Sequence, residues 1–382
     1  MKKKILIPYA SYGTGHKAVG LYIKNYFESL DKELEILPLD LLQYSIPIIG
    51  KASQSLSNFL MQRLPTVWNF IYNIFDNKYN LGISNKLSMA MFKNKKLKKT
   101  IQDFNPDLTI STHFFGSSLL ANYNKKGICN SKVITVVTDY EAHEFWLQNH
   151  KSDDYIIVAD KNEVAALVKR GVEKKKIKAI GIPIAPTIPS DFNKEKALKS
   201  YGLSGENKVC LFFGGGGNGT KIIIPYIKKI LKMKLNLKIT FDFIFIAGKN
   251  TYVKNKVEKW VKDYKIPGVK VFGWVTNGPE LFELCDFVVT KPGGAQTTEA
   301  LYFKKPAVFI VSTGGQENAN HKYFTKNGYG RRFKTAYGFS RYIETLNNNP
   351  KMIDKMHQKM ISNNNDKAME NLYELTTNLL KK

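Results

Sequence analysis

Cysteine is scarce in this chain of 382 residues: there are three, Cys129, Cys210 and Cys285, and no two form a Cys-x-x-Cys pair. That excludes a disulfide framework and a cysteine zinc site, and it fits a reducing cytoplasm. Acidic residues are also in short supply. Asp and Glu together number 32 against 58 Lys and Arg, a formal net charge of +26. Such an excess attracts polyanions, and each basic residue near an anionic membrane contributes about 1 kcal/mol. Nucleic acid would satisfy the charge, but no recognisable module clusters it with stacking aromatics, so no nucleic acid is expected. Long apolar runs are missing too: nothing approaches the roughly 18 residues of a transmembrane helix. The start, Met1-Lys2-Lys3-Lys4-Ile5-Leu6-Ile7, imitates a signal peptide, yet its apolar run stops at Pro8 and enters a glycine-rich loop. The chain is expected to lie on a membrane and not to span it.

What is present is an alternation of short apolar, β-branched runs with amphipathic helical segments, the pattern of a parallel α/β sheet. The length suggests about two domains. Ile5–Tyr9 reads as a strand, Ala10–His16 as a loop and Lys17 to about Leu30 as a helix. Further strands are expected at Glu35–Leu39, Asp107–Ser111, Val133–Thr138 and Tyr155–Ala159. The pattern then restarts with a strand at Val209–Phe213, a glycine loop at Gly214–Gly219 and a helix at Ile222–Leu231. Strands at Phe243–Ala247, Val269–Phe272, Phe287–Thr290 and Ala307–Val311 follow. The prolines of 181–189 mark an extended linker, so the expected domains are 1–186 and 187–345, with a helical tail over 346–382. From Tyr44 to Leu97 the rhythm breaks. Aromatics and aliphatics such as Phe59, Trp68, Phe70 and Phe75 precede Lys93, Lys95, Lys96, Lys98 and Lys99. This segment suits either core-packed helices or an amphipathic insertion into a bilayer interface with a basic rim.

Two loops carry the chemistry. Ser11-Tyr12-Gly13-Thr14-Gly15-His16-Lys17-Ala18 lies between strand and helix, with Asp40 just beyond the second strand. That context also suits a dinucleotide-binding oxidoreductase, which stays open here. His16 favours another use: at a helix N-terminus the dipole lowers its pKa and keeps it a neutral base near pH 7, able to take a proton from a hydroxyl. The second loop, Thr290-Lys291-Pro292-Gly293-Gly294-Ala295-Gln296-Thr297-Thr298-Glu299, follows a strand and opens a helix. Its glycines admit a diphosphate to backbone amides at the helix N-terminus. Thr297 and Thr298 can add hydrogen bonds, and Glu299 can accept from two ribose hydroxyls. Gly314-Gly315-Gln316-Glu317-Asn318-Ala319-Asn320 then supplies amides and carboxylates of the kind that read sugar hydroxyls.

Taken in order, these residues resemble the lipid-directed glycosyltransferases that include processive diacylglycerol β-glucosyltransferase and monogalactosyldiacylglycerol synthase. The resemblance spans nearly the whole chain. It lies in Ser11–His16, in Val137-Thr138-Asp139-Tyr140 with His143 and Trp146, and in Gly181-Ile182-Pro183. It continues in Phe213-Gly214-Gly215-Gly216, Gly273-Trp274-Val275, Thr290–Gly294 with Thr298-Glu299-Ala300, and Gly315–Ala319.

The resemblance implies a GT-B fold of two Rossmann-like domains facing across a cleft, with a C-terminal helix returning to the N-terminal domain. It implies an inverting transfer of a hexose from a UDP-sugar to diacylglycerol on the cytoplasmic face of the membrane, the net charge holding the enzyme to an anionic surface. His16 and Asp139 are the implied catalytic pair, with Tyr12, His143 and Trp146 on the acceptor side. Gly214, Gly215, Gly273, Trp274, Lys291, Gly293, Gly294, Thr298 and Glu299 would hold the nucleoside diphosphate, and Gln316, Glu317 and Asn320 the sugar. No Asp-x-Asp occurs, which fits a metal-free reaction without a cofactor. A lipid-linked peptidoglycan precursor as acceptor, or epimerisation of a UDP-sugar, are the alternatives. The departure is in the first loop: plant relatives carry an acidic residue where this chain has Ser11 and Tyr12.

Overall fold

The computed structural model describes residues 2–11, 14–44, 67, 70, 74, 92, 94–214, 221–312, 314–363 and 365–381. The chain divides into two compact units. Unit 1 comprises Met1–Ala185, Thr313–Ala319 and Asn364–Lys382, and unit 2 comprises Pro186–Ser312 and Asn320–Asn363.

Unit 1 is built on six parallel strands: β1 Lys4–Tyr9, β2 Glu35–Asp40, β3 Leu108–Ser111, β4 Lys132–Val136, β5 Tyr155–Ile157 and β6 Ile177–Lys178, in the order β2-β1-β3-β4-β5-β6. The inner strands are buried along nearly their whole length, because helices cover both faces of a parallel sheet; Ile5, Leu6, Ile7, Leu108 and Ile110 are all fully buried. The helix Gly15–Leu30 lies on β1 through Gly20, where a Cβ would come within 3.2 Å of Ile7 Cγ2. The helix Phe114–Lys125 approaches still closer through Gly116, whose added Cβ would meet Pro8 Cγ at 2.6 Å. Glycine at both positions lets the chain ends of β1 and β3 stay close. The last helix, Ala368–Leu380, returns to this unit: Tyr373 stacks edge-on to Phe27 at 5.0 Å, and Lys132 Nζ donates to the Leu379 carbonyl at 2.6 Å.

Unit 2 repeats the scheme with β7 Val209–Phe213, β8 Asp242–Ile246, β9 Val269–Phe272, β10 Phe287–Thr290, β11 Ala307–Ile310 and β12 Gly330–Phe333. All are parallel, in the order β12-β11-β10-β7-β8-β9. Numbered from β7, this is the Rossmann order 3-2-1-4-5-6. Its core is aromatic: Phe212, Phe243, Phe245 and Phe287 bury against Phe339 and Tyr226 of the flanking helices. The tail is thus divided. The helices Ala336–Asn348 and Lys351–Ile361 complete unit 2, while Ala368–Leu380 completes unit 1.

Most expected strands form within a residue or two of their expected ends. Two edge strands, β6 and β12, were not anticipated; they span two and four residues and alternate poorly, Arg331-Arg332 occupying the middle of β12. Four expected strands end early, those expected to reach Thr138, Ala159, Ala247 and Val311. Val137 and Thr138 leave β4 to reach the histidine loop, and Val311 turns into the left-handed region at φ 49°. Of the segment Tyr44–Leu97, only Tyr44, Val67, Phe70, Ile74, Phe92 and 94–97 fall within the described residues; Trp68 and Phe75 lie outside them.

Candidate active site

In unit 1 the strand order reverses between β1 and β3, so their connections leave on opposite faces and a crevice opens at their carboxyl ends. His16 opens the helix after β1, and Thr112-His113 directly follow β3. His16 Nδ1 lies 2.9 Å from the Thr112 carbonyl oxygen and 2.9 Å from Thr138 Oγ1, while the Thr112 hydroxyl donates back to the His16 carbonyl at 2.9 Å. A carbonyl can only accept, so Nδ1 carries the proton and the lone pair sits on Nε2. The residue as a whole is half-buried, and burial of the imidazole pulls its pKa down to about 4, against the Thr112 bond, which acts the other way. At neutral pH the imidazole is uncharged.

His113 was not singled out from the sequence. Its ring stands 4.6 Å from that of His16 and 6.2 Å from Trp146. Its Nδ1 accepts from the Phe115 amide at 3.2 Å, capping the helix Phe114–Lys125 and leaving the proton on Nε2. Burial, reinforced by His16, holds its pKa well below the ordinary value. The signal was available: Ser111-Thr112-His113 ends a strand just as the loop before His16 does.

The other residues expected on the acceptor side follow β4. Asp139 is buried next to Thr138, the residue bonded to His16. His143 caps a short turn through its Nδ1, which accepts from the Phe145 amide at 3.1 Å. Trp146 is buried among Val137, Ala142, Leu147 and Ile156, its ring 6.0 Å from His16. Trp146 thus packs against the His16 ring from within the core, while His143 holds the turn that carries it. Tyr12 lies outside the described residues. Asp40, the carboxylate a dinucleotide would need for its ribose, accepts from the Ser11 hydroxyl at 2.6 Å and from the Leu42 amide at 3.1 Å. It ties down the loop instead.

In unit 2 the order reverses between β7 and β10. At the end of β10, Thr290 Oγ1 bridges to Gln296 Oε1 at 3.1 Å, and Gly293, the N-cap of the helix Gly294–Tyr302, has no side chain with which to cap its first amides. A Cβ on Gly293 would meet nothing within 4 Å, so the approach to those amides is open. Lys291 and Glu299 flank this helix start, each half-buried. Thr298 turns inward: it is fully buried and its hydroxyl donates to the Gly294 carbonyl at 2.8 Å, which commits its proton to the helix. Thr297 is fully buried as well, and its Oγ1 has no hydrogen-bond partner among the described residues.

Asn320, expected to face a sugar, is fully buried and donates from Nδ2 to the Pro292 carbonyl at 2.9 Å. In this position it clamps the loop that precedes Gly293. Gly214 follows β7 so close to the Ile246 carbonyl that a Cβ would stand 2.7 Å away; Gly215 lies outside the described residues. Beyond β9, Gly273 leads to Trp274, which is 54% exposed with Lys249 Nζ 5.2 Å from its ring centre. Gln316 and Glu317 open the helix Gln316–Asn327; Glu317 is buried, and Gln316 Oε1 is a buried acceptor with no partner among the described residues.

Known proteins share this fold. A family model for monogalactosyldiacylglycerol (MGDG) synthase matches residues 16–184, and one for the glycosyltransferase family 28 C-terminal domain matches residues 209–375. The processive diacylglycerol β-glucosyltransferase of Bacillus pumilus is 29% identical over 365 residues, 94% of this chain and 91% of its own. Among solved structures, Acinetobacter baumannii MurG superposes with a TM-score of 0.61 at 11% identity, covering 98% of this chain and 99% of that one. The S. aureus MnaA–UDP co-structure gives 0.59 at 15% identity, over 100% and 98%. With one match over each half and two parallel sheets of the GT-B kind, the chain is a GT-B glycosyltransferase that resembles monogalactosyldiacylglycerol synthase over residues 16–184 and processive diacylglycerol β-glucosyltransferase over nearly its whole length.

Proposed function

We propose that this protein transfers a hexose, glucose or galactose, from a UDP-sugar to the free hydroxyl of diacylglycerol with inversion at the anomeric carbon. The observation that carries the reading is His16: a neutral imidazole at a switch point, its Nδ1–H held by the Thr112 carbonyl and its Nε2 lone pair left to take a proton. The donor half of the reading is supported by the Gly293–Gly294 helix start, whose uncapped amides suit a diphosphate, and by the UDP in the MnaA co-structure. The acceptor half is supported by the name of the Bacillus relative.

In this mechanism the acceptor oxygen attacks the anomeric carbon as its proton passes to His16 Nε2. The bond from that carbon to the UDP oxygen breaks, and the charge developing on the diphosphate is met by the helix-start amides and Lys291. Those fixed donors take the part that a divalent cation plays elsewhere, so no metal is required. Asp139 orients the acceptor beside Thr138, Glu299 takes the ribose hydroxyls, and Gln316 and Glu317 read the sugar.

The site of action is the membrane surface, on its cytoplasmic face. Among the described residues no helix is long and apolar enough to cross a bilayer. Val67, Phe70 and Ile74 are helical and exposed at a spacing that puts them on one face, Phe70 at 66%. Such a face suits insertion among lipid headgroups. Incubation with radiolabelled UDP-glucose and UDP-galactose in turn, over diacylglycerol vesicles, tests the whole reading. One labelled glycolipid would name the sugar; no labelled lipid from either donor would overturn it.

A further inference from the structure

Leu237 is placed where neither folding nor solubility rewards it. It follows the helix Ile224–Leu235 at the position where the backbone turns left-handed, φ 56°, and the Lys238 amide closes the turn on the Met233 carbonyl at 2.9 Å. Glycine or asparagine ordinarily fills this position, since a Cβ there crowds the backbone. Leucine gains nothing in return: it is 87% exposed. Leu235 beside it is 45% exposed.

The neighbouring turn has the same character. β8 and β9 are adjacent and parallel, so the turns that precede them emerge at one end of the sheet. Before β9, Tyr264 is 58% exposed and Lys265 is left-handed at φ 49°. The two turns are close, for a Cβ on Gly268 would stand 3.0 Å from Lys234 Nζ, which is itself buried against Asp242. Around this rim lysine predominates, with Glu206 and Asp263 as the exposed acids in its turns. From Lys228 to Phe241 there are five lysines and no Asp or Glu, and all but Lys234 are exposed. Lys262 and Lys265 add to them, while Asp263 lies 3.7 Å from Lys259.

Two leucines and a tyrosine inside a lysine fringe admit few partners. A second copy of this chain, with its own +26 charge, would be repelled. A nucleic-acid backbone offers charge but no place for Leu237. An anionic bilayer offers both, acyl chains below and phosphates around. We propose that the rim formed by Leu235, Leu237 and Tyr264 of unit 2 is a membrane tether that docks on anionic lipid. It sits at the amino ends of the strands, whereas Gly293 and Gly294 lie at the carboxyl end, so it serves to anchor and not to admit the acceptor. The proposal does not depend on which lipid accepts the sugar.

Co-sedimentation with vesicles of phosphatidylglycerol or phosphatidylcholine tests it on the full chain. Wild type should prefer the anionic vesicles. Leu237→Asn keeps a residue that tolerates the left-handed turn, so thermal stability and UDP affinity should hold. Binding should fall about tenfold or more, the worth of one leucine removed from an apolar phase. Leu235→Gln combined with it should lower binding further. Unchanged vesicle binding by the double variant, or a wild type indifferent to lipid charge, overturns the tether. So does a change in oligomeric mass, which would assign the leucines to a protein contact. Transfer to detergent-dispersed diacylglycerol should be untouched by these variants; if wild type also fails there, the acceptor reading is at fault and the sedimentation result still decides the rim.

Discussion

His16 and Thr112 hold each other through two bonds of 2.9 Å, imidazole Nδ1 to carbonyl and hydroxyl to carbonyl, although 96 residues separate them in the chain. The pair fixes both the place of the imidazole at the mouth of β1 and β3 and the nitrogen that bears its proton. Its consequences can be measured.

Replacing His16 by Ala should lower kcat by about 10²–10⁴, the usual worth of a positioned base, while UDP affinity measured by calorimetry stays close to wild type. A parallel loss of UDP binding would show that the residue supports the fold and not the proton transfer.

Because burial pulls the His16 pKa down to about 4, the base stays deprotonated well into acid. The pH profile of kcat/KM should remain flat from about pH 8 to about pH 5 and fall only below that. An acid limb near the ordinary histidine value of about 6.5 would mean that another group is the base or that substrate restores the imidazole's basicity.

Gly293→Ala separates binding from folding. The backbone at Gly293 is extended, φ −75° and ψ 141°, and a Cβ there meets nothing within 4 Å, so thermal stability should not change. The methyl group would stand before the helix-start amides, and UDP affinity should drop about tenfold. Retained affinity would move the diphosphate elsewhere.

Asn320→Ala removes the clamp on the Pro292 carbonyl and leaves a buried acceptor unpaired. Stability should fall by about 1–3 kcal/mol, and KM for the UDP-sugar should rise more than kcat falls. A change in kcat alone would place Asn320 in contact with the reacting sugar.

Asp153 is buried beside Thr135, and burial raises its pKa to about 8. A carboxyl raised in the folded state contributes stability below its unfolded pKa and loses it as pH climbs through the folded one. Relative to Asp153→Asn, wild type should therefore lose stability between about pH 4 and pH 8, by at most about 1.4 kcal/mol per pH unit. His16 and His113, whose pKa values are lowered, act in the opposite sense on the acid side. The difference between wild type and variant cancels them.

If the helix-start amides and Lys291 stabilise the leaving diphosphate, chelation of divalent cations with EDTA should leave the transfer rate within about twofold of its starting value. A collapse restored by Mg²⁺ would return the charge to a metal.

The sequence by itself determined the repeated strand–glycine–helix scheme, because buried parallel strands need near-continuous apolar runs and these can be read directly. It also marked His16 and the loop 291–294, since a strand that runs into glycines and then a helix leaves backbone amides exposed. The edge strands β6 and β12 escaped because two or four residues on a sheet margin need no apolar period. The strand end before His113 is a weak signal without the glycines that precede His16; only the β2-β1-β3 order brings His113 within 4.6 Å of His16. The roles of Thr298 and Asn320 were likewise decided in three dimensions, when a hydroxyl turned back to Gly294 and an amide turned down to Pro292. A residue type shows what a side chain can donate. Only the packing decides whether that donor points to a ligand or is already spent holding the loop that binds one.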